Sequence, residues 1–167
     1  MKILETSRLV LEEFTLGDAD FIFALLNSPG WLQFIGDRGI KNIDDARKYI
    51  SDKLIASYLT NGFGLYIVRL KNENIPIGMC GLVKRAGLED VDIGFALSPD
   101  FSGKGYAYEA AIATMNYAKD ILNIKSIVAI TTPNNISSIN LLKKLQFNFE
   151  KMISIPNDDE ELMLFTR

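Results

Sequence analysis

Phe101-Ser102-Gly103-Lys104-Gly105-Tyr106-Ala107 is the stretch from which the fold can be read. It follows a strand-like run, Val91 to Leu97. It opens a long helical pattern, Gly103 to Leu122, that repeats Ala107, Ala111, Met115, Ala118 and Leu122 on one face. Two glycines and a small residue let backbone approach a ligand closely. The first N–H groups of a helix lack intrahelical acceptors, and with the helix dipole they form an anion site suited to a pyrophosphate. Lys104 either adds a charge there or lies on the solvated face. Glycine pairs also start helices that bind nothing, so this segment alone leaves both readings open. Its spacing is not G-x-G-x-x-G, and no Gly-Lys-Ser/Thr follows to make a P-loop.

The preceding strand points towards a ligand. Val91, Ile93, Phe95 and Leu97 share one face, and Asp92, Gly94 and Ala96 share the other. Asp and Gly are poor strand residues. An acid with two small neighbours leaves room for a ligand, or else faces solvent. Downstream, Ser126 to Thr131 reads as a strand and Asn135 to Gln146 as a helix capped by Asn135. Phe147 to Ile155 and Glu161 to Phe165 read as closing strands. Upstream, Arg8 to Phe14 is a strand, and Asp18 is an N-cap for a helix carrying Phe21, Ile22, Leu25 and Leu26. Asn27-Ser28-Pro29-Gly30 stops that helix, and a loop holds Trp31, Phe34 and Gly36. A second helix spans Asp44 to Leu59. Gly64 to Leu70 and Pro76 to Lys84 are strands. This order predicts an α/β (α+β) fold with a mostly antiparallel sheet and one parallel crossover.

Composition narrows the chemistry. The 167 residues suit a single domain. With no histidine, Ser-His-Asp and Cys-His mechanisms and His-ligated metals are excluded, and one cysteine argues against structural zinc. Cys80 lies in an apolar strand and reads as core. The lone thiol, with no signal-like leader, suggests a reducing cytoplasm. A net charge of -3 argues against nucleic acid as a partner. No apolar run is long enough to suggest a membrane partner.

The order strand, Ser-Gly-Lys-Gly-Tyr-Ala, helix, strand, then Pro133-Asn134-Asn135-Ile136-Ser137-Ser138 and on to Phe147 resembles the GNAT superfamily of acetyl-CoA-dependent N-acetyltransferases. The start Glu5-Thr6-Ser7-Arg8-Leu9-Val10-Leu11, with Gly17-Asp18-Ala19, is similar to the Rim-like branch. That branch includes ribosomal-protein N-terminal acetyltransferases and relatives acting on small amines. The resemblance covers Thr6 to Phe165. It implies the GNAT fold: a mixed, mostly antiparallel twisted sheet, splayed at its centre with help from the break at Ser98-Pro99 and flanked by about four helices. It implies acetyl-CoA as co-substrate and no metal, with Ser102, Gly103, Lys104, Gly105, Tyr106 and Ala107 at the pyrophosphate. Phe95, Ala96 and Leu97 would offer backbone hydrogen bonds to the pantetheine arm. Asn135 would contact that arm and Ser138 would lie near the thioester sulfur. Their bland alternative is a simple cap and an idle serine. Gln146 stands where the family usually has glycine.

Acyl transfer to an amine needs a base, because alkyl ammonium pKa values lie at about 10.4. Asp92 is the candidate base, standing where the family often has Glu. Its alternative is a salt bridge or the orienting of water. Ser138 is the candidate donor to the leaving thiolate, and a backbone N–H near Leu97 the candidate for the oxyanion. Trp31 and Phe34 are candidate acceptor contacts, and Tyr49 reads as core. The expected partner is an amine acceptor, either a peptide N-terminus or a small amine, on a monomer or homodimer. A non-catalytic acetyl-CoA sensor is the alternative function.

Overall fold

The computed structural model describes residues 1–167. Its strands are β1 (Lys2–Glu5), β2 (Leu9–Glu12), β3 (Leu65–Leu70), β4 (Pro76–Val83), β5 (Val91–Leu97), β6 (Ile127–Thr131), β7 (Asn148–Ile153) and β8 (Leu162–Thr166). Its helices are α1 (Ala19–Leu26), α2 (Pro29–Phe34), α3 (Ile43–Tyr49), α4 (Ala56–Asn61), α5 (Tyr106–Asp120) and α6 (Ile136–Lys144). The strands form one sheet of order β1-β2-β3-β4-β5-β6-β8-β7. Only the β5–β6 pair is parallel, and α5 is the crossover between those two strands. This is the mixed sheet expected from the order of elements.

Strand alternation sorts the core onto two sheet faces. Tyr66 and Val68 of β3 join Ala110, Ala111 and Met115 of α5 and Ile139 and Leu142 of α6. Ile67, between them in sequence, points the other way and joins Ile22, Leu25 and Leu26 of α1 with Trp31 and Ala46. Helices α5 and α6 thus cover one face, and α1 to α4 the other.

Four local expectations are corrected. β1 is an additional edge strand, too short and too exposed to carry an alternating signal. The segment read as a loop around Trp31 and Phe34 is α2: Pro29 sits at its start, where a missing N–H costs nothing, so Pro29 begins a helix as well as ending one. Asp18 makes no side-chain cap to α1. Its carboxylate instead accepts from the Thr15 N–H (2.8 Å) and hydroxyl (3.0 Å) and pairs with Arg69. The helix expected over Asp44 to Leu59 forms, but a π-helical segment, Ile50–Ile55, joins α3 to α4. No helix is long and apolar enough to cross a membrane.

Candidate active site

Helix α5 begins at Tyr106, later than its apolar pattern suggests, so Ser102 to Gly105 form an exposed loop. Gly103 (φ 74°) and Gly105 (φ 82°) both adopt the left-handed region that side chains resist. A Cβ at Gly103 would meet nothing within 4 Å, so the loop is open at that point. The six backbone N–H groups from Gly103 to Tyr108 donate to no acceptor in the chain; the first bond of the turn is Glu109 N–H to the Gly105 carbonyl (3.0 Å). Free donors at the start of a fifteen-residue helix suit an anion. Ser102 uses its N–H on the Pro99 carbonyl (3.2 Å) and stands at the edge. Lys104 folds back: its Nζ donates to the Asp100 carbonyl (2.8 Å) and lies 5.4 Å from the Phe101 ring centroid. Tyr106 and Ala107 are half-buried in the first turn.

Beside this loop the sheet opens. β5 pairs with β6 only at Val91↔Ile127 and Asp92↔Val128, yet it stays paired with β4 as far as Leu97. The divergence therefore begins well before Ser98-Pro99, and the break there is not its origin. Ser98 donates to the Ile77 carbonyl on the β4 side (2.8 Å). Antiparallel alternation then turns the backbone groups of Phe95 and Leu97 towards the β6 side, where the strand has left them unpaired, and those of Ala96 towards β4. Of the three expected backbone contacts, Phe95 and Leu97 face the opening. Ala96 does not, because the ladder with β4 uses its polar groups.

Across the opening, Asn135 caps α6: its Oδ1 accepts from the Ser138 N–H at 3.2 Å. The pair thus shares one helical turn, as the spacing requires, and both side chains are half-buried. Between β6 and this cap, the Thr132 hydroxyl is buried without a partner. Orphaned polar atoms, free strand-edge groups and a run of free N–H donors make a site that fits acetyl-CoA. Gly103 to Ala107 would hold its diphosphate, Phe95 and Leu97 its pantetheine amides.

Asp92 lies at the apex of the opening and is 1% exposed. Arg85 Nε donates to its Oδ2 at 2.5 Å, while Oδ1 has no partner. Burial pushes the Asp92 pKa up to about 6, against the lowering influence of the Arg85 charge and hydrogen bond and of the nearby Ile130 backbone N–H. The room expected beside Gly94 is absent: Leu65 Cδ2 lies 3.1 Å from where a Gly94 Cβ would stand, because β3 side chains fill that face. Trp31 is likewise no cleft wall; it is 6% exposed and packed in the α1–α3 core. Phe34, on α2, is half-buried, with no aromatic partner. Tyr49 packs against the same core as Trp31, as expected. It is half-buried where the π segment begins, and burial raises its pKa while the Arg38 and Arg85 charges lower it. Irregular helical turns of this kind recur at functional sites. Arg85 was not found from the sequence, whose only signal is a cation in the turn before β5. Cys80 is core as expected, and burial pushes its thiol up to about 12, which leaves it a poor nucleophile.

A sheet parted between two parallel strands, with free N–H groups on the loop of their crossover, fits a transferase that binds an acyl-CoA. The chain belongs to the GNAT acetyltransferase family: the model for the acetyltransferase (GNAT) domain matches residues 8–148. It is similar to an uncharacterized N-acetyltransferase, YnaD, of Bacillus subtilis (strain 168), at 26% identity over 94% of this chain and 90% of the relative. Its fold resembles RimL, a ribosomal L7/L12 alpha-N-protein acetyltransferase solved with coenzyme A (TM-score 0.82, 18% identity, 100% and 97% coverage). It also resembles a spermidine N-acetyltransferase chimera from Vibrio cholerae and hSSAT (TM-score 0.77, 18% identity, 96% and 95% coverage). The protein is an N-acetyltransferase of this family.

Proposed function

We propose that the chain moves the acetyl group of acetyl-CoA to a primary amine by direct attack, with no covalent enzyme intermediate. The observation that carries this reading is the run of six unpaired N–H groups, Gly103 to Tyr108, at the foot of the parted strands. Acetyl-CoA supplies the activated acetyl thioester. Asp92 takes the ammonium proton through its free Oδ1, by way of water, while Arg85 holds Oδ2. A backbone N–H at Leu97 stabilises the oxyanion, and Ser138 donates to the leaving thiolate. The acceptor is a peptide α-amine or a small amine, the classes named for the similar solved structures. The unpaired, buried Cys80 suits a reducing cytoplasm.

The test incubates the pure protein with acetyl-CoA and a panel of peptide N-termini, polyamines and other small amines, following CoA release against a no-acceptor control. Acceptor-dependent release by a peptide supports the reading in full. Release by polyamines alone would assign the small-amine class. CoA binding without release by any amine would favour a sensor.

A further inference from the structure

Two residues far from the diphosphate loop in sequence, Arg8 and Glu109, carry a second layer of this site. Glu109 stands in the first turn of α5 and accepts four hydrogen bonds. Its Oε1 receives the Thr6 hydroxyl (2.5 Å), the Ser7 hydroxyl (3.2 Å) and the Arg8 N–H (3.0 Å), and its Oε2 receives Arg8 Nε (2.6 Å). Partial burial works to raise the Glu109 pKa, but the bonds from Thr6 and Arg8 outweigh it and hold the carboxylate below its ordinary range. The Arg8 guanidinium lies 4.5 Å from the Tyr106 ring centroid, and its Nη1 donates to the Lys104 carbonyl at 3.1 Å. That is the one hydrogen bond reaching Ser102 to Gly105 from outside the stretch Pro99 to Glu109.

The consequence follows from peptide planarity. The Lys104 carbonyl and the Gly105 N–H belong to one trans peptide and point in opposite directions. Gripping the carbonyl on one side aims the N–H to the other. Gly105, on one side of this peptide, adds little steric restraint to its rotation, so the Arg8 bond is the contact that restrains it. A planar guanidinium can hold a carboxylate, a carbonyl and a ring face at once; an ammonium cannot. We propose that Arg8, anchored by Glu109, is a positioning residue that fixes the Lys104–Gly105 peptide so that its N–H group points at the diphosphate of acetyl-CoA. This rests on the acetyl-CoA reading above.

Calorimetric titration with CoA of the wild type and of Arg8→Gln, Arg8→Lys and Glu109→Gln separates positioning from simple charge. Positioning predicts that all three variants bind CoA about 10-fold more weakly or worse, at unchanged stoichiometry. Charge attraction alone predicts that Arg8→Lys binds like the wild type. It also predicts that Glu109→Gln binds more tightly, since a negative charge beside the diphosphate is removed. Either of those results, in variants whose melting temperature shows them folded, would overturn the inference. Glu109→Gln keeps acceptors for Thr6 and Ser7, so it tests the idea even where an Arg8 variant fails to fold. A wild type that binds no CoA would sink the transferase reading itself, before the variants are compared.

Discussion

Replacing Asp92 with Asn separates what this residue does for stability from what it does for turnover, because the two effects have opposite signs. The carboxyl titrates at about 6 in the fold, against 3.8 for an unperturbed Asp, chiefly because it is buried. That is a shift of about two units, or about 3 kcal/mol at about 1.4 kcal/mol per unit. The folded state therefore holds this proton more tightly than the unfolded state does. Below pH 3.8 both states are protonated and the residue costs little. As pH rises from 3.8 to 6 the unfolded state ionises first, so this group's contribution to stability falls; above 6 the full loss of about 3 kcal/mol remains. Asn has the same shape and does not titrate. Arg85, whose side chain is 33% exposed, can hydrate when its partner charge is gone.

Urea unfolding of the wild type and Asp92→Asn at pH 4, 5, 6 and 7 reads this directly, since other carboxylates cancel in the difference. Asp92→Asn should gain on the wild type by about 2 kcal/mol between pH 4 and 7. Turnover should move the other way: a large fall in kcat with little change in acetyl-CoA affinity, and loss of an acid limb near pH 6. A difference in stability that stays flat with pH, or that grows towards low pH, would refute the electrostatic argument. A stability gain without loss of turnover would keep that argument and remove Asp92 from the chemistry.

Two further substitutions test the helix that faces the parted strands. Gln146 adopts φ 67° in the turn after α6, a left-handed conformation that costs a side chain about 1 kcal/mol; Gln146→Gly should raise the melting temperature by a few degrees (~1 kcal/mol) and leave turnover unchanged, and an unchanged or lower melting temperature counts against the strain. Asn135→Ala removes the cap on Ser138 and should cost about 1 kcal/mol; CoA affinity measured on the same sample tells whether Asn135 serves only as a cap, in which case affinity holds once the fold is intact.

The sequence reveals most where a single residue type meets a single backbone demand. Gly103 and Gly105 are legible because left-handed turns strongly favour glycine, and Asn135 because a cap needs a short polar side chain at one position. Gln146 makes the same point from the other side: it stands where the family usually has glycine, and the left-handed turn is there with glutamine in place. What the sequence hides are groups whose meaning depends on the far side of the fold. Gly94 looks like space until Leu65 from β3 fills it, and Ala96 looks available until β4 takes its backbone. Arg85 and Asp92 are seven apart across a turn, with no periodicity to link them. Arg8 and Glu109 are 101 residues apart, and nothing in either segment names the other. In each case the deciding quantity is a partner, which tertiary packing supplies. The glycine loop proposed to hold the diphosphate can thus be read from one heptapeptide, whereas the Arg8–Glu109 contacts beside it and the burial of Asp92, the proposed base, are visible only in the assembled fold.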